Sequence, residues 1–271
     1  MQGMWPAVWL VLAMRELEKR RVEECRLDPT FALAEFGEAE RFLEDRGLLT
    51  LTPCCSLPSL FGACHEEMAS PGKPGFGQWP KTRWWWGEKL EESPGVMTTK
   101  LHRGKTLYLA PRLTKLVDPL SRLELARAEA GQYGPLAARL LTHLASAGPS
   151  TTDDLKLELG LAAGDYQRVR RTLESRGAIV SRRITVAAER GGHRHMSNLM
   201  RWDQAVDEAS GHPDDALVQL LGAVVEAAVL IPEGEARRAL TWMIPKQVLE
   251  RSIAEGRVRA VSRDLLAAPM S

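Results

Sequence analysis

The sequence predicts a mainly α-helical protein with small β ribbons, an α+β fold class, and three observations support this prediction. The 271 residues are 44% hydrophobic and 26% charged with a formal net charge of +1, which is typical of a globular chain of about two domains and not of a disordered one. Apolar residues recur at helical spacing in segments that end at glycine or before proline. Finally, a helix end followed by glycine and an apolar strand recurs along the chain, as LEDRGLLT, LESRGAIV and IAEGRVRAV.

The first third of the chain is predicted to contain two helices and a strand. A helix from about residue 7 to 26 ends before Asp28-Pro29, because a residue that precedes proline avoids helical angles. A second helix from about 36 to 46 ends at a glycine, and residues 48–51 follow as a short buried strand. Five prolines make residues 52–82 an irregular connection around one short helix.

The middle of the chain is predicted to form a hairpin and then helices. Residues 98–109 alternate as a β-hairpin with its turn at Arg103-Gly104, and a helix from about 111 to 130 follows. Three more helices come next, of which the second is short and the third runs from about 163 to 176. Two strands, Ile179-Val180 and 184–186, then form a ribbon with Arg182 and Arg183 between them.

Helix, short helix, helix and ribbon is the order of a winged helix-turn-helix. Because the C-terminal copy of the repeat also has helices before its strand, the sequence predicts tandem winged helix-turn-helix domains. The predicted organisation is an N-terminal helix (1–30), a first winged-helix-like unit with a Trp-rich insertion and a β-hairpin (31–131), a central winged helix (132–205) and a C-terminal winged-helix-like unit (206–271).

The third helix of the central unit has the character of a DNA recognition helix. Tyr166, Val169 and Leu173 fall on one side of a helical wheel and define its buried face. The opposite, polar side would enter a major groove with Gln167, Arg168, Arg171 and Ser175. Eight arginines against three acidic residues give residues 163–195 a local charge of +5. The alternatives are an ordinary solvated helix face or a protein-binding winged helix.

Two further basic segments are predicted to reach the DNA backbone. The wing, with a mobile basic stretch at its end, contributes Arg182, Arg183, Arg190, His193, Arg194 and His195. The hairpin contributes Lys100, His102, Arg103 and Lys105, and an ordinary solvated turn is the alternative for it. The expected partner is therefore double-stranded DNA.

Four tryptophans lie close together beside basic residues, at positions 79, 84, 85 and 86. If exposed, Trp79, Trp84, Trp85 and Trp86 could stack on an unpaired base, although large aromatic side chains more often anchor cores. Packing is therefore the favoured interpretation of this cluster.

Metal binding and catalysis receive little support from the residues. Cys54, Cys55, Cys64 and His65 are possible zinc ligands, but adjacent cysteines cannot form the usual knuckle, so neither a metal nor a small-molecule cofactor is expected. No G-x-S-x-G, P-loop or G-x-G-x-x-G motif occurs. Glu66 and Glu67, beside His65, are conceivable acids, and the catalytic residues are unknown.

Membrane insertion is not expected. The longest apolar run, Trp5–Met14, has ten residues, whereas a helix needs about 20 to cross a bilayer. No Lys or Arg precedes this run, which argues against a signal peptide, and four cysteines are too few for a disulfide scaffold. A cytoplasmic location is expected.

Several stretches resemble the AlkZ-related proteins, relatives of the AlkZ/YcaQ DNA glycosylases, which excise alkylated or crosslinked bases with tandem winged-helix domains. The stretches are RFLEDRGLLTLTP, SLPSLFGA and TRWWWGEKLEESPGVMTTKLHRGKTLYLAPRL, and the resemblance covers about residues 31 to 205. Its most specific part runs from Trp86 through Lys105. The resemblance implies the tandem winged-helix fold and DNA as the partner.

One motif of those glycosylases is missing. Their Gln-x-Gln motif positions a water for attack at the glycosidic bond, but no glutamine lies between Gln2 and Gln78, and no two glutamines are spaced by one residue. We therefore expect duplex binding without base excision. The alternatives are an active glycosylase that uses a different acid, and a transcription regulator or protein-interaction scaffold.

Overall fold

A computed structural model describes residues 7–187, 193–207 and 211–269. The helices are α1 (Ala7–Glu24), α2 (Phe36–Arg46), α3 (Leu60–Ala63), α4 (Trp86–Glu92), α5 (Pro111–Glu129), α6 (Pro135–Ala147), α7 (Thr152–Leu159), α8 (Ala163–Arg176), α9 (Trp202–Ala205), α10 (Pro213–Ala228), α11 (Glu233–Ala236) and α12 (Lys246–Ala254). The strands are β1 (Leu48–Thr50), β2 (Met97–His102), β3 (Lys105–Leu109), β4 (Ser150–Thr151), β5 (Ile179–Ala187), β6 (His193–Arg201), β7 (Leu230–Pro232), β8 (Arg259–Ser262) and β9 (Leu265–Ala267).

One order of elements, helix, strand, two helices and two strands, recurs along the chain. It is realised as α2-β1-α3-α4-β2-β3, as α6-β4-α7-α8-β5-β6 and as α10-β7-α11-α12-β8-β9. In the second and third copies the last strand lies at the centre of an antiparallel sheet, with the orders β4-β6-β5 and β7-β9-β8. The predicted fold class, mainly α with small β wings in tandem winged helix-turn-helix order, is confirmed.

The chain divides into two compact units, unit 1 (residues 1–95 and 218–271) and unit 2 (residues 96–217). This division follows contacts and not the sequence repeat, so the hairpin β2-β3 belongs to unit 2 although α2, α3 and α4 belong to unit 1. The predicted domain boundaries remain an interpretation of the sequence. No described helix is both long and apolar enough to cross a membrane.

Unit 1 combines the N-terminal helices with the C-terminal sheet. Leu17 of α1 packs with Leu230 and Ala267 in an apolar cluster. Helix α11 ends at Ala236, because residues 237–244 fold back, and the Arg237 guanidinium donates a hydrogen bond to the Ile244 carbonyl at 2.9 Å.

In unit 2, the core of the central winged helix gathers the apolar faces of α6, α7 and α8 with the bases of β5 and β6. Its members include the predicted buried residues Tyr166, Val169 and Leu173. The Thr151 hydroxyl caps α7 by accepting a hydrogen bond from the Asp154 amide. Gly177 ends α8 with a φ of 80°, a left-handed conformation that favours glycine.

The wing is longer and more regular than predicted. Arg182 and Arg183 do not interrupt two short strands, because β5 continues through them and pairs Arg182 with Asn198 and Arg183 with Ser197. His193, Arg194 and His195, predicted as a mobile stretch, are the first residues of β6. Main-chain pairing with the β-branched residues of β5 extends the ribbon beyond the part that the core covers. Arg190 lies outside the described residues.

Candidate nucleic-acid interface

Charge is distributed unequally between the two units. Unit 2 carries eighteen Lys and Arg against fourteen Asp and Glu, whereas unit 1 carries eighteen against twenty-one. Unit 2 is therefore net positive by four and unit 1 net negative by three. A polyanion such as DNA would be attracted to unit 2, although the whole chain is close to neutral.

The outward face of α8 is exposed and basic. Gln167, Arg168 and Arg171 are exposed, and Ser175 is half-buried with its hydroxyl donating to the Thr172 carbonyl at 3.0 Å. The Arg168 guanidinium pairs with the Asp165 carboxylate on the same helix. Such a surface pair is worth about 0–1 kcal/mol, so a phosphate can replace the carboxylate at little cost.

Arg170 faces the interior of unit 2 and does not belong to the outward face of α8. Its guanidinium donates to the Glu174 carboxylate at 3.1 Å and to the Ser181 and Ser197 hydroxyls at 3.3 Å each. The Arg170 side chain is 17% exposed and Glu174 is 8% exposed, so the two charges compensate each other inside unit 2.

The wing carries cations on both of its faces. Side chains alternate along a strand, so Arg183 shares a face with Ser181 and, across the ladder, with Ser197 and His195. This face is turned towards α8, since both serine hydroxyls bind Arg170. Arg182 lies on the opposite face.

Arg182, Arg183 and His195 are exposed, and the His195 Nδ1 lies 3.2 Å from the Thr185 hydroxyl. The backbones of His193 and Arg194 lie opposite Ala187 and Val186 in the ribbon.

The hairpin β2-β3 offers fewer cations than predicted. Its turn is at Arg103-Gly104, as predicted, with φ of 51° and 76°, the left-handed pair that a two-residue hairpin needs. Arg103 and Lys105 are exposed at the turn. His102, by contrast, is 2% exposed and cannot reach a phosphate, which corrects its assignment. The Lys100 ammonium donates to the Thr106 hydroxyl at 2.7 Å.

The tryptophan cluster is mostly packed. Trp86 is 4% exposed, and Trp85 is half-buried with its ring stacked against Phe36 at 6.4 Å between centroids. The Lys89 ammonium covers the Trp85 ring at 4.4 Å. Only Trp84 among these three consecutive residues is exposed, at 45%, so they do not form a common stacking surface.

Glu66 and Glu67 are engaged in ways that favour their charged forms. The Glu66 carboxylate accepts hydrogen bonds from the Thr82 and Arg83 amides at 2.7 and 3.0 Å. Burial raises the pKa of Glu66, but these hydrogen bonds outweigh burial and lower it overall. A hydrogen bond from Lys81 and its positive charge lower the pKa of Glu67. Neither residue is suited to donate a proton near neutral pH.

The four candidate zinc ligands do not converge. The Cys64 thiol donates to the Leu60 carbonyl at 3.3 Å, and the His65 Nε2 lies 2.7 Å from the Arg26 carbonyl. Cys54 and Cys55 are 3.9 Å apart at their Sγ atoms. Burial raises the pKa of Cys55 and of Cys64 to about 12, which disfavours the thiolate that binds zinc.

The fold defines a protein of the tandem winged-helix class, and its central unit has an exposed basic helix face and a basic wing. A solved structure of similar fold is the Streptomyces sahachiroi DNA glycosylase AlkZ, which superposes with a TM-score of 0.55 over 99% of this chain and 70% of that one at 14% sequence identity. The predicted resemblance is thereby confirmed for the fold. No protein-family model matches the chain, and no curated protein matches it.

Proposed function

We propose that this chain binds double-stranded DNA through its central winged helix. The observation that carries the proposal is the exposed basic face of α8, which continues into a basic wing within the unit that holds the excess positive charge. In this proposal α8 enters the major groove, and the wing and the hairpin turn contact the backbone. The contacts are assigned to Gln167, Arg168, Arg171, Ser175, Arg182, Arg183, Arg190, His193, Arg194, His195, Lys100, Arg103 and Lys105.

We further propose that binding occurs without base excision, and with neither a metal nor a cofactor. The Gln-x-Gln motif is missing from the sequence, and the two glutamates considered as substitutes have lowered pKa values. A cytoplasmic location belongs to this proposal, because the proposed partner is double-stranded DNA. Base excision by another acid is the second candidate function, which the similarity of fold to a DNA glycosylase favours.

The test is binding to a labelled duplex, intact and alkylated, over a salt series, with strand cleavage after base treatment as the readout for abasic product. We expect salt-sensitive binding to both duplexes and no abasic product. Abasic product would establish the second candidate, and an absence of salt-sensitive binding would favour a protein partner.

A charge-matched pair of variants locates the binding site. The double substitution Arg168→Ala with Arg171→Ala removes two cations from α8. The control, Lys246→Ala with Arg251→Ala, removes two cations from α12, where they pair with Glu250 and Glu255 respectively. We expect the α8 variant to lose affinity and the control to keep it, and equal losses would contradict the assignment to α8.

A further inference from the structure

In unit 1, residues 66–83 form a hairpin-like loop that is held by hydrogen bonds. Its two arms are joined by hydrogen bonds from the Ala69 amide to the Trp79 carbonyl at 2.8 Å and from the Ser70 amide to the Gly77 carbonyl at 2.9 Å. At its base, the Glu66 carboxylate holds two amides of the returning arm. The loop therefore presents its tip in a defined conformation.

The tip displays an aromatic ring to solvent. Phe76 is 72% exposed, more than any other described aromatic side chain, while its ring lies 4.3 Å from the ring of Trp79 between centroids. Trp79 in turn contacts Phe61, which is 5% exposed, at 5.4 Å. Phe76 is thus supported from behind by aromatic side chains that lead into the interior of unit 1, and its outer side is open.

Lys73, three positions before Phe76, is the cation nearest to Phe76 in the sequence of the loop. A Cβ added to Gly77 would lie 2.8 Å from the Lys73 Cβ and 2.9 Å from the Ser70 carbonyl oxygen. The Lys73 side chain therefore begins next to Gly77, the residue that follows Phe76. Lys73 is exposed. The rest of the tip consists of small or polar exposed residues, namely Pro71, Gly72, Pro74, Gly75 and Gln78.

One supported ring on a loop that also carries an exposed lysine matches a nucleobase and its phosphate better than it matches a protein surface. A base stacks on a single aromatic face, and the neighbouring phosphate attracts a lysine. A protein partner would need a broader apolar patch, and the flanking residues of the tip do not supply one.

We propose that Phe76 stacks on an unpaired base in DNA, with Lys73 at the adjacent phosphate. This inference rests on the proposed DNA-binding function and names a second contact for it. The ligand class is an unpaired or single-stranded nucleobase, because paired bases inside a duplex offer no free face for stacking.

The experiment compares a fully paired duplex with the same duplex carrying one unpaired 2-aminopurine, whose fluorescence is quenched by stacking. Phe76→Leu keeps an apolar side chain without an aromatic face, and Phe76→Tyr keeps the face. Met243→Ala, which removes a side chain that is 59% exposed elsewhere in unit 1, is the control.

For Phe76→Leu we expect about 5- to 150-fold weaker binding to the unpaired probe only, together with loss of quenching. Phe76→Tyr and Met243→Ala should behave as the wild type. Equal effects of Phe76→Leu on both probes, or no effect on either, would overturn the inference. Only the second of these results would favour a protein partner for the loop.

The two proposals fail separately in this design. Wild-type binding to the paired duplex with no effect of Phe76→Leu would refute only the stacking site. Phe76-dependent binding to the unpaired probe, without binding to the paired duplex, would refute only the proposed duplex interface. Binding to neither probe would refute both.

Discussion

A buried hydrogen bond in unit 2 ties the end of the wing to helix α5. Asp118 is 0% exposed, and its Oδ1 accepts hydrogen bonds from the Trp202 indole at 2.8 Å and from the Arg122 guanidinium at 2.9 Å. Trp202 directly follows the last residue of β6 and is itself 0% exposed. We therefore predict that Asp118 and Trp202 are energetically coupled.

The size of the coupling follows from what each substitution leaves behind. Asp118→Ala leaves the indole N–H buried without its acceptor, a cost of about 1–3 kcal/mol, while Arg122 keeps a hydrogen bond to the Val206 carbonyl and partial access to water. Trp202→Phe removes a hydrogen bond to a charged acceptor, worth about 1.5–3 kcal/mol. The double variant leaves no orphaned indole, so its cost should fall short of the sum by about 1–2 kcal/mol.

Hydrogen–deuterium exchange measures these free energies locally, in peptides from α5 and β6 for Asp118 and Trp202 and in peptides around residue 242 for a control at Trp242. Trp242→Phe is the matched control, because among the described residues the buried Trp242 indole N–H has no hydrogen-bond partner. We expect Trp242→Phe to cost less than Trp202→Phe. A coupling energy near zero, or equal costs for the two tryptophans, would refute the reasoning.

Three further predictions concern thiols, a glycine and a carboxylate. At pH 8 iodoacetamide should label the exposed Cys54 fastest, because burial raises the pKa of the other thiols, to about 11 for Cys25 and about 12 for Cys55 and Cys64; equal rates in the folded protein would contradict this. Gly177→Ala should lower the melting temperature more than Gly131→Ala, since both have a φ near 80° but only at Gly177 would a Cβ meet the Ser121 hydroxyl, at 2.7 Å; equal shifts would count against that contact. The pKa of Glu66 is lowered in the folded protein, so its carboxylate stabilises the fold fully above the pKa of the unfolded state, and this contribution is lost as the pH falls through the pKa of the folded state. The destabilisation by Glu66→Gln should therefore shrink on acidification. A difference in thermal unfolding between the wild type and Glu66→Gln that does not depend on pH would contradict this prediction.

Much of the fold could be predicted because its signals are local. Glycine caps such as Gly47 and Gly177, the Thr151 cap and the helical spacing of Tyr166, Val169 and Leu173 depend on residues within a few positions of one another. These signals fix where helices end and which face is buried, whatever the tertiary context.

What the sequence could not show depends on distant partners. The second wing strand pairs through its main chain over residues with no apolar alternation, so β6 gave no strand signal at His193–His195. His102 is buried by tertiary packing, which its polar residue type does not indicate. The bond between Asp118 and Trp202 joins residues 84 positions apart, and no local pattern announces it. The exposure of Phe76 depends on how its loop folds, so no local pattern indicates it, and most of the neighbouring tryptophans are packed.

The central claim, that the basic face of α8 and the wing bind duplex DNA, is tested most directly by the salt dependence of duplex affinity. The wild type is compared with a variant in which Arg168, Arg171, Arg182 and Arg183 are all alanine. Each lost phosphate contact should make the slope of log affinity against log salt shallower by about 0.9, hence by about 3.6 if all four make contact. A slope that is unchanged in the variant would contradict the account.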